Sequence, residues 1–447
     1  MSNFLSGKLR PLVGELHFLR MHYLWLTQKK TTHSLLDTLK RIALALDLAL
    51  LVWILWSCQP SMVSAQQGSS LLSQISPQDA VLVVAPDGQI LFKQNHTKPC
   101  APASTLKILT AIAAIHHLGK CHRFHTEFYL DSKDDLKIKG FGDPLLVSEI
   151  WQEMAQALAP TLQGCRDLIL DDTYFAPNLG IPGINPSTNP YDAPNGALCA
   201  NFNTVFFKRD KTGSIVSAEP QTPMTPLALK RVEQLGLKGG RYAFLSDSRE
   251  AALYAGELLV YFLKETGRDF RGKIRLGVVH PEDTLLYAYR SPFTLEATLQ
   301  KMLEFSSNFM ANQVFLAVGA HVHGPPGTVE KGVQAVSEYA KEVLHLSDIQ
   351  IVEGSGISRK NRLSPLEMVS VLKAFAPHRG LLTAKGPVLY KSGTLRGLKT
   401  RAGYIESRQG SPYYFVFFLN SPKVDIDALT EHLVGSLDQG LNRERER

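Results

Sequence analysis

The sequence predicts an α/β fold of the α+β kind: a mainly antiparallel sheet packed with helices, interrupted by a smaller mixed domain. Three observations point there. Ala80 to Ala85 and Gln89 to Gln94 flank the turn Pro86-Asp87-Gly88, a hairpin that runs straight into the apolar stretch Ile108 to Ile115. From about Arg123 to Glu282 the texture changes to short strands and a Pro/Asn-rich loop, Phe175 to Pro194, as an insertion would. Beyond it the chain returns to long helical runs that end in strands.

At 447 residues, 44% hydrophobic and 20% charged, the chain can bury a sizeable core. Seven of its Lys/Arg and only three acids fall in the first 65 residues, so the remainder carries +3 of the formal +7, which excludes a nucleic-acid footprint. Within those 65 residues, Lys40-Arg41, the apolar segment Ile42 to Trp56 and the small-residue site Val63-Ser64-Ala65 follow the order of a secretory signal. Residues 1–65 are therefore expected to be a signal peptide or an N-terminal anchor, and the rest to be exported to the periplasm or the outer face of the cytoplasmic membrane. Membrane attachment through that segment stays open. Export would leave Cys100, Cys121, Cys165 and Cys199 in an oxidising compartment, with three pairings available, among them a Cys100/Cys121 staple across the helix between them. No CxxC or nearby histidine pair supports a metal, and no cofactor motif is present.

The expected layout is 66–122 and 283–440 as the core, 123–282 as the insert, and 441–447 as a charged, solvated tail. In the insert, Phe124 to Leu130 and Asp167 to Leu170 read as strands and Val147 to Leu158 as a helix; Arg249 to Glu265 and Lys273 to Val279 bring the chain back. In the returning core, Thr294 to Phe305 and Phe309 to Val318 are helical, split at Ser306-Ser307-Asn308. Val329 to Leu344 and Ser364 to Phe375 are helices, and Gln350 to Glu353 is a strand. Pro387 to Tyr390 runs into Lys391-Ser392-Gly393-Thr394, followed by strands Lys399 to Ile405 and Tyr413 to Asn420 and a helix from Asp425 to Leu437.

Pro102-Ala103-Ser104-Thr105-Leu106-Lys107 opens the buried helix. Three residues apart on one face, the Lys107 amine sits beside the Ser104 hydroxyl, where the helix N-terminus supplies positive potential. A serine needs such a base, plus donors for the oxyanion it generates, to attack a carbonyl. A second copy, Ser370-Val371-Leu372-Lys373, lies inside an amphipathic helix away from any helix start and reads as surface. Ser187-Thr188-Asn189 and Lys211-Thr212-Gly213 copy further motifs, but the first sits in a proline-flanked loop and the second in a hairpin turn.

The ordered set Ser104-x-x-Lys107, Ser306-x-Asn308 and Lys391-Ser392-Gly393-Thr394 resembles the active-site motifs of penicillin-binding proteins and serine β-lactamases. With about 200 residues between the first two motifs, the chain most resembles the D-alanyl-D-alanine carboxypeptidases/endopeptidases of the low-molecular-mass class C penicillin-binding proteins. Phe141-Gly142-Asp143-Pro144-Leu145 and Glu353-Gly354-Ser355-Gly356-Ile357-Ser358-Arg359 are similar as well.

The resemblance implies a β-lactamase/transpeptidase-like core and a penicillin-sensitive serine peptidase acting on D-Ala-D-Ala-terminated peptidoglycan stem peptides, with β-lactams as covalent inhibitors. Ser104 would be the nucleophile, Lys107 its base, Lys391 the second cation, Ser306 a proton relay and Asn308 a substrate ligand. Backbone N–H groups of Ser104 and Thr394 would hold the oxyanion beside Gly393, and Ser392, Thr394 and Lys391 the terminal carboxylate. It further implies that Asp143 reads the amine, and Ser355 with Arg359 the carboxylate, of a diaminopimelate side chain. The competing readings are a serine β-lactamase or esterase on the same scaffold, for which no deacylating base is legible, and a non-catalytic cell-wall binding protein, which would not need all five motif residues.

Overall fold

The computed structural model describes residues 75–445 apart from 163, 408, 409 and 421–423; the expected signal or anchor, with Cys58, lies outside them. Among the described residues no helix is long and apolar enough to cross a membrane.

The chain begins with the hairpin β1 (Ala80–Val84) and β2 (Ile90–Gln94), then a 3₁₀ turn, Ala103–Leu106, that feeds α1 (Lys107–Leu118). The α1 helix ends where Gly119 takes φ 80°, a left-handed position that favours glycine. The insert follows: β3 (His125–Leu130), β4 (Leu136–Gly140), α2 (Ser148–Leu158), β5 (Leu168–Asp171), β6 (Thr204–Arg209), β7 (Ile215–Ser217), α3 (Pro226–Gln234), β8 (Gly240–Ala243), α4 (Ser248–Glu265), β9 (Ile274–Leu276) and β10 (Thr284–Arg290). The core resumes with α5 (Leu295–Glu304), α6 (Asn308–His323), α7 (Val329–Glu342), α8 (Pro365–Phe375), β11 (Thr383–Lys385), β12 (Val388–Leu395), β13 (Leu398–Ile405), β14 (Tyr413–Leu419) and α9 (Ile426–Arg445).

Six strands form the main sheet in the order β11-β12-β13-β14-β1-β2, every neighbouring pair antiparallel. Side chains alternate across it, so Leu82, Val416 and Phe418 join the core made with α1 and α6, while Val81, Val83, Phe415 and Phe417 pack with Ile426 and Leu429 of α9. Helices on both faces explain why β1 and β14 read as unbroken apolar runs. The α6 helix is buried from Phe309 to Ala320 and passes so close to α7 that a Cβ on Gly319 would lie 2.5 Å from the Gly332 nitrogen.

The insert has a five-stranded sheet, β10-β3-β4-β5-β9, a three-stranded sheet, β7-β6-β8, and its own core around Trp151, Tyr254 and Phe128. Its boundary falls later than 282, because β10 pairs with β3 and carries the sheet to Arg290. The two crossings are stitched together: Ser291 N donates to Phe124 O at 2.9 Å and Leu295 N to His122 O at 2.7 Å.

Several sequence expectations need correction. Gln350 to Glu353 is not a strand; Gln350 makes only an isolated bridge with Arg362, because the Glu353 carboxylate collects the N–H groups of the segment that follows. The charged tail is partly helical, since α9 runs to Arg445. The four cysteines among the described residues are free. Cys100 and Cys121 flank α1, whose 12 residues at about 1.5 Å each hold its ends roughly 18 Å apart, beyond the roughly 7 Å Cα limit of a disulfide. Cys199 is buried with its thiol donating to Gly196 O at 3.1 Å.

The helix crossing yields a stability prediction. Gly319→Ala should destabilise the protein by about 1–3 kcal/mol through forced separation of α6 and α7, read as a lower urea midpoint. An unchanged midpoint would show that the close approach is not required.

Candidate active site

Three chain segments meet at Ser104. The first is its own turn, which departs from regular helix because Ala103 takes φ 47°. The turn is pinned by Pro102 O, which accepts from Thr105 Oγ1 at 2.6 Å and from Thr400 Oγ1 of β13 at 2.9 Å. The second is the α5–α6 junction, where Ser306 sits at φ 52° and Ser307 caps α6 by accepting from Met310 N. A non-glycine residue in that region is strained by roughly 1–3 kcal/mol, and Ser306 and Asn308 line the same cleft as Ser104. The third is β12. A Cβ on Gly393 would lie 2.6 Å from Ser104 N and 2.4 Å from Thr400 Oγ1, so only glycine lets the strand touch the serine turn.

Lys107 is fully buried. Its Nζ lies 3.0 Å from Ser104 Oγ, 2.8 Å from Asn308 Oδ1 and 2.7 Å from Ser355 O. The two carbonyl oxygens can only accept, so in the neutral amine they take both N–H groups and leave the lone pair facing the serine hydroxyl. Burial, reinforced by the Lys391 charge and opposed by Glu353, brings the Lys107 pKa down to about 7. Lys391 is itself 4% exposed, donates to Ser392 O at 3.0 Å, and is lowered by burial to about 8.

Glu353 organises the loop under the amine. Its carboxylate accepts from Ser355 N and Oγ, Gly356 N, Ser358 N and Asn361 Nδ2. That fold presents Ser355 O to Lys107 and Gly354 O to Thr110 Oγ1 at 2.6 Å. Gly356 has φ 84°, and a Cβ there would lie 1.8 Å from Ala103 O.

The site opens into a cleft of about 1040 Å³. Its floor and walls include Ser104, Ser306, Asn308, Thr394 and Arg359, with Pro182, Gly183, Asn185 and Tyr191 reaching in from the insert. Asn308 Nδ2 donates to Tyr191 O at 3.5 Å. Along the cleft one sheet edge is open: β11 pairs with β12 only from Val388 to Tyr390, so Lys391 to Leu395, bonded to β13 on one side, have no strand on the other among the described residues. This matches the need for an edge on which an extended peptide can add.

Some expected ligands lie elsewhere. Asp143 is 2% exposed, accepts from Leu145 N at 2.8 Å and does not line the cleft; burial pushes its carboxyl up to about 6. The Ser355 hydroxyl points away, donating to Glu353 at 2.6 Å, so this residue acts through its carbonyl and not its side chain. Neither side chain is placed to read a substrate amine or carboxylate. Arg359 does line the cleft, its guanidinium donating to Arg396 O. Ser392 is exposed on β12 but is not a wall of the cleft. Of the copies, Ser187 bonds Asp192, Lys211 sits in the β6–β7 turn, and Ser370 donates to Leu366 O within α8. The parts that sequence reasoning missed are Glu353, the Ser355 carbonyl and the insert loop at Tyr191; the flanking Gly354 and Gly356 were the signal for the first two.

A family model described as D-Ala-D-Ala carboxypeptidase 3 (S13) matches residues 74–238 and 216–383. Among curated proteins, the D-alanyl-D-alanine carboxypeptidase DacB of Haemophilus influenzae is 24% identical over 399 residues, covering 74% of this chain and 83% of that one. The D-alanyl-D-alanine carboxypeptidase of an Actinomadura species is 25% identical over 407 residues, covering 74% and 75%. Among solved structures, penicillin binding protein 4 of Haemophilus influenzae superposes with a TM-score of 0.65 at 22% identity, over 80% of this chain and 94% of that one, which shows a shared fold.

The buried pair of lysines gives a signed prediction. Because the Lys391 charge helps to hold Lys107 down, Lys391→Met should raise the Lys107 pKa above about 7, read from the pH titration of its ¹⁵N side-chain signal. An unmoved titration would mean that the Lys391 charge does not contribute.

Proposed function

The chain belongs to the D-Ala-D-Ala carboxypeptidase 3 (S13) family, and from that premise we propose how its residues carry out serine carboxypeptidase chemistry on peptidoglycan stem peptides. One observation carries the reading: a neutral-prone Lys107 amine, held by two carbonyls, faces the Ser104 hydroxyl at 3.0 Å at the base of a cleft with an open strand edge.

Ser104 Oγ attacks the carbonyl carbon of the penultimate D-alanine while Lys107 takes its proton. The oxyanion is held by the backbone N–H groups of Ser104 and Thr394, which the Gly393 contact brings together. The peptide lies along β12 as an added strand, and Asn308 orients an amide of its acyl part. Ser306 passes the proton from Lys107 to the departing D-alanine amine. The terminal carboxylate is met by Thr394 and the field of Lys391. Water then cleaves the ester and returns Ser104 to its hydroxyl.

Penicillin sensitivity follows from the same chemistry: a β-lactam acylates Ser104 and stays there, because among the described residues no acidic side chain lines the cleft to activate the water that would release it. That favours a peptidase over a β-lactamase. The size of the cleft suits cross-linked as well as linear peptides, so endopeptidase action belongs to the reading. Action on peptidoglycan places the protein outside the cytoplasm, in the periplasm or on the outer face of the cytoplasmic membrane.

Fluorescent penicillin should label the protein stably, and Ser104→Ala should abolish labelling while the protein stays folded; persistent labelling of that variant would overturn the assignment. Incubation with linear and cross-linked muropeptides, read by product mass, should show loss of 71-dalton alanine residues from the first and cleavage of the second, the expected mass loss being that of one alanine residue by simple bond arithmetic, about 71. The acylation rate should rise with pH through about 7, as Lys107 loses its proton, and fall through about 8, as Lys391 loses the charge that attracts the substrate carboxylate. A rate that is flat from pH 6 to 9, roughly the window in which both groups titrate, would contradict the roles given to the two lysines.

A further inference from the structure

Three ionisable side chains are buried around the serine turn: Lys107 and Glu353 have no exposed surface, and Lys391 is 4% exposed. Beyond its own burial, Lys107 feels both of the others, Lys391 as a repelling charge and Glu353 as an attracting one. Glu353 bonds to neutral donors. One oxygen accepts from Ser355 N at 2.7 Å and Ser355 Oγ at 2.6 Å, the other from Gly356 N at 2.8 Å, Ser358 N at 3.3 Å and Asn361 Nδ2 at 2.6 Å. With both Ser355 donors taken, the remaining polar group of that residue, its carbonyl, turns to Lys107 Nζ at 2.7 Å. Two helices peg the loop independently: Thr110 Oγ1 of α1 donates to Gly354 O at 2.6 Å, and Gly354 N donates to Asn312 Oδ1 of α6 at 2.9 Å. The loop's other charges, Arg359, Lys360 and Arg362, reach the solvent, where salt screens them. Burying an anion among neutral donors is costly, and the cost is offset when a cation lies within its field.

Resting on the peptidase reading above, we infer that Glu353 is a positioning residue for acylation: its carboxylate fixes the Ser355 carbonyl against the Lys107 amine and supplies the negative field that offsets the charge Lys107 gains. As Ser104 Oγ bonds the substrate carbonyl carbon, its proton passes to the Lys107 lone pair and the carbonyl electron pair becomes the oxyanion. With Lys391 charged and Lys107 neutral, Glu353 and Lys391 sum to zero, so the proton arrives where the buried charges are already balanced. Without the carboxylate, Lys107 would join Lys391 as a second uncompensated buried cation.

The test follows acylation by a fluorescent penicillin from roughly pH 5 to 10, a window that spans both lysines. In the unaltered protein the rate rises through about 7. In Glu353→Gln, which keeps the shape and removes the charge, this rise should move to lower pH and the rate above it should fall about tenfold, because a less basic amine takes the proton less readily. Glu353→Asp, which keeps the charge, should retain the rise at about 7. A purely structural role predicts the opposite sign in Glu353→Gln: a loosened loop admits water, and the rise moves up toward the ordinary lysine value of 10.5. An unmoved or raised limb in that variant therefore overturns the inference. The unaltered protein gives a check that does not depend on the folding of either variant. Coupling between two charges is mutual, so the ¹³C carboxyl resonance of Glu353 should step as Lys107 titrates at about 7, and a resonance without that step overturns the inference as well. Both failures leave the peptidase intact. An unaltered protein that neither takes the penicillin label nor releases D-alanine overturns the peptidase reading itself.

Discussion

The structure depends on keeping one amine dry and partly deprotonated. A lysine with no exposed surface must find partners for its nitrogen, and each comes from a different part of the chain: the serine turn, Asn308 at the start of α6, and the carbonyl of Ser355. Satisfying two N–H groups with carbonyls makes burial tolerable, and a second buried cation nearby makes the neutral form accessible near neutral pH. The amine's surroundings and the three-dimensional assembly are therefore one requirement: the environment of Lys107 is complete only when all three segments are in place.

Assembly in turn rests on close backbone approaches. Gly393 and Gly356 let β12 and the 353–361 loop press on the serine turn from two sides, and Gly319 lets α6 pack tightly against α7. The left-handed Ala103 and Ser306 show where the backbone is bent out of its preferred region to aim a side chain. Core burial around α1 and α6 holds these conformations.

Much of this was legible in the chain. The apolar run after Lys107 marked a buried helix, and the unbroken apolar runs of β1 and β14 marked strands covered on both faces. Ser104, Lys107 and Asn308 converge as their spacing and order implied. What was not legible depended on long-range contacts. Glu353 looked like the end of a strand because sequence gives no sign that its carboxylate would gather five donors from the next eight residues. Asp143 and Ser355 have suitable chemistry, but burial and a local hydrogen bond take each side chain away from the cleft. The cysteine staple failed on distance, since a straight helix fixes how far apart its ends stand.

The two crossings into and out of the insert run side by side, joined at Phe124 with Ser291 and at His122 with Leu295. Seen from the catalytic half, some 165 intervening residues amount to an oversized hairpin loop whose ends are already closed, and closure entropy grows only slowly with such length. The main sheet would close the same way without those residues, and through the stretch around Tyr191 they line the cleft at Ser104. A change in the length of this loop would alter the cleft at Tyr191 while leaving the surroundings of Lys107 in place.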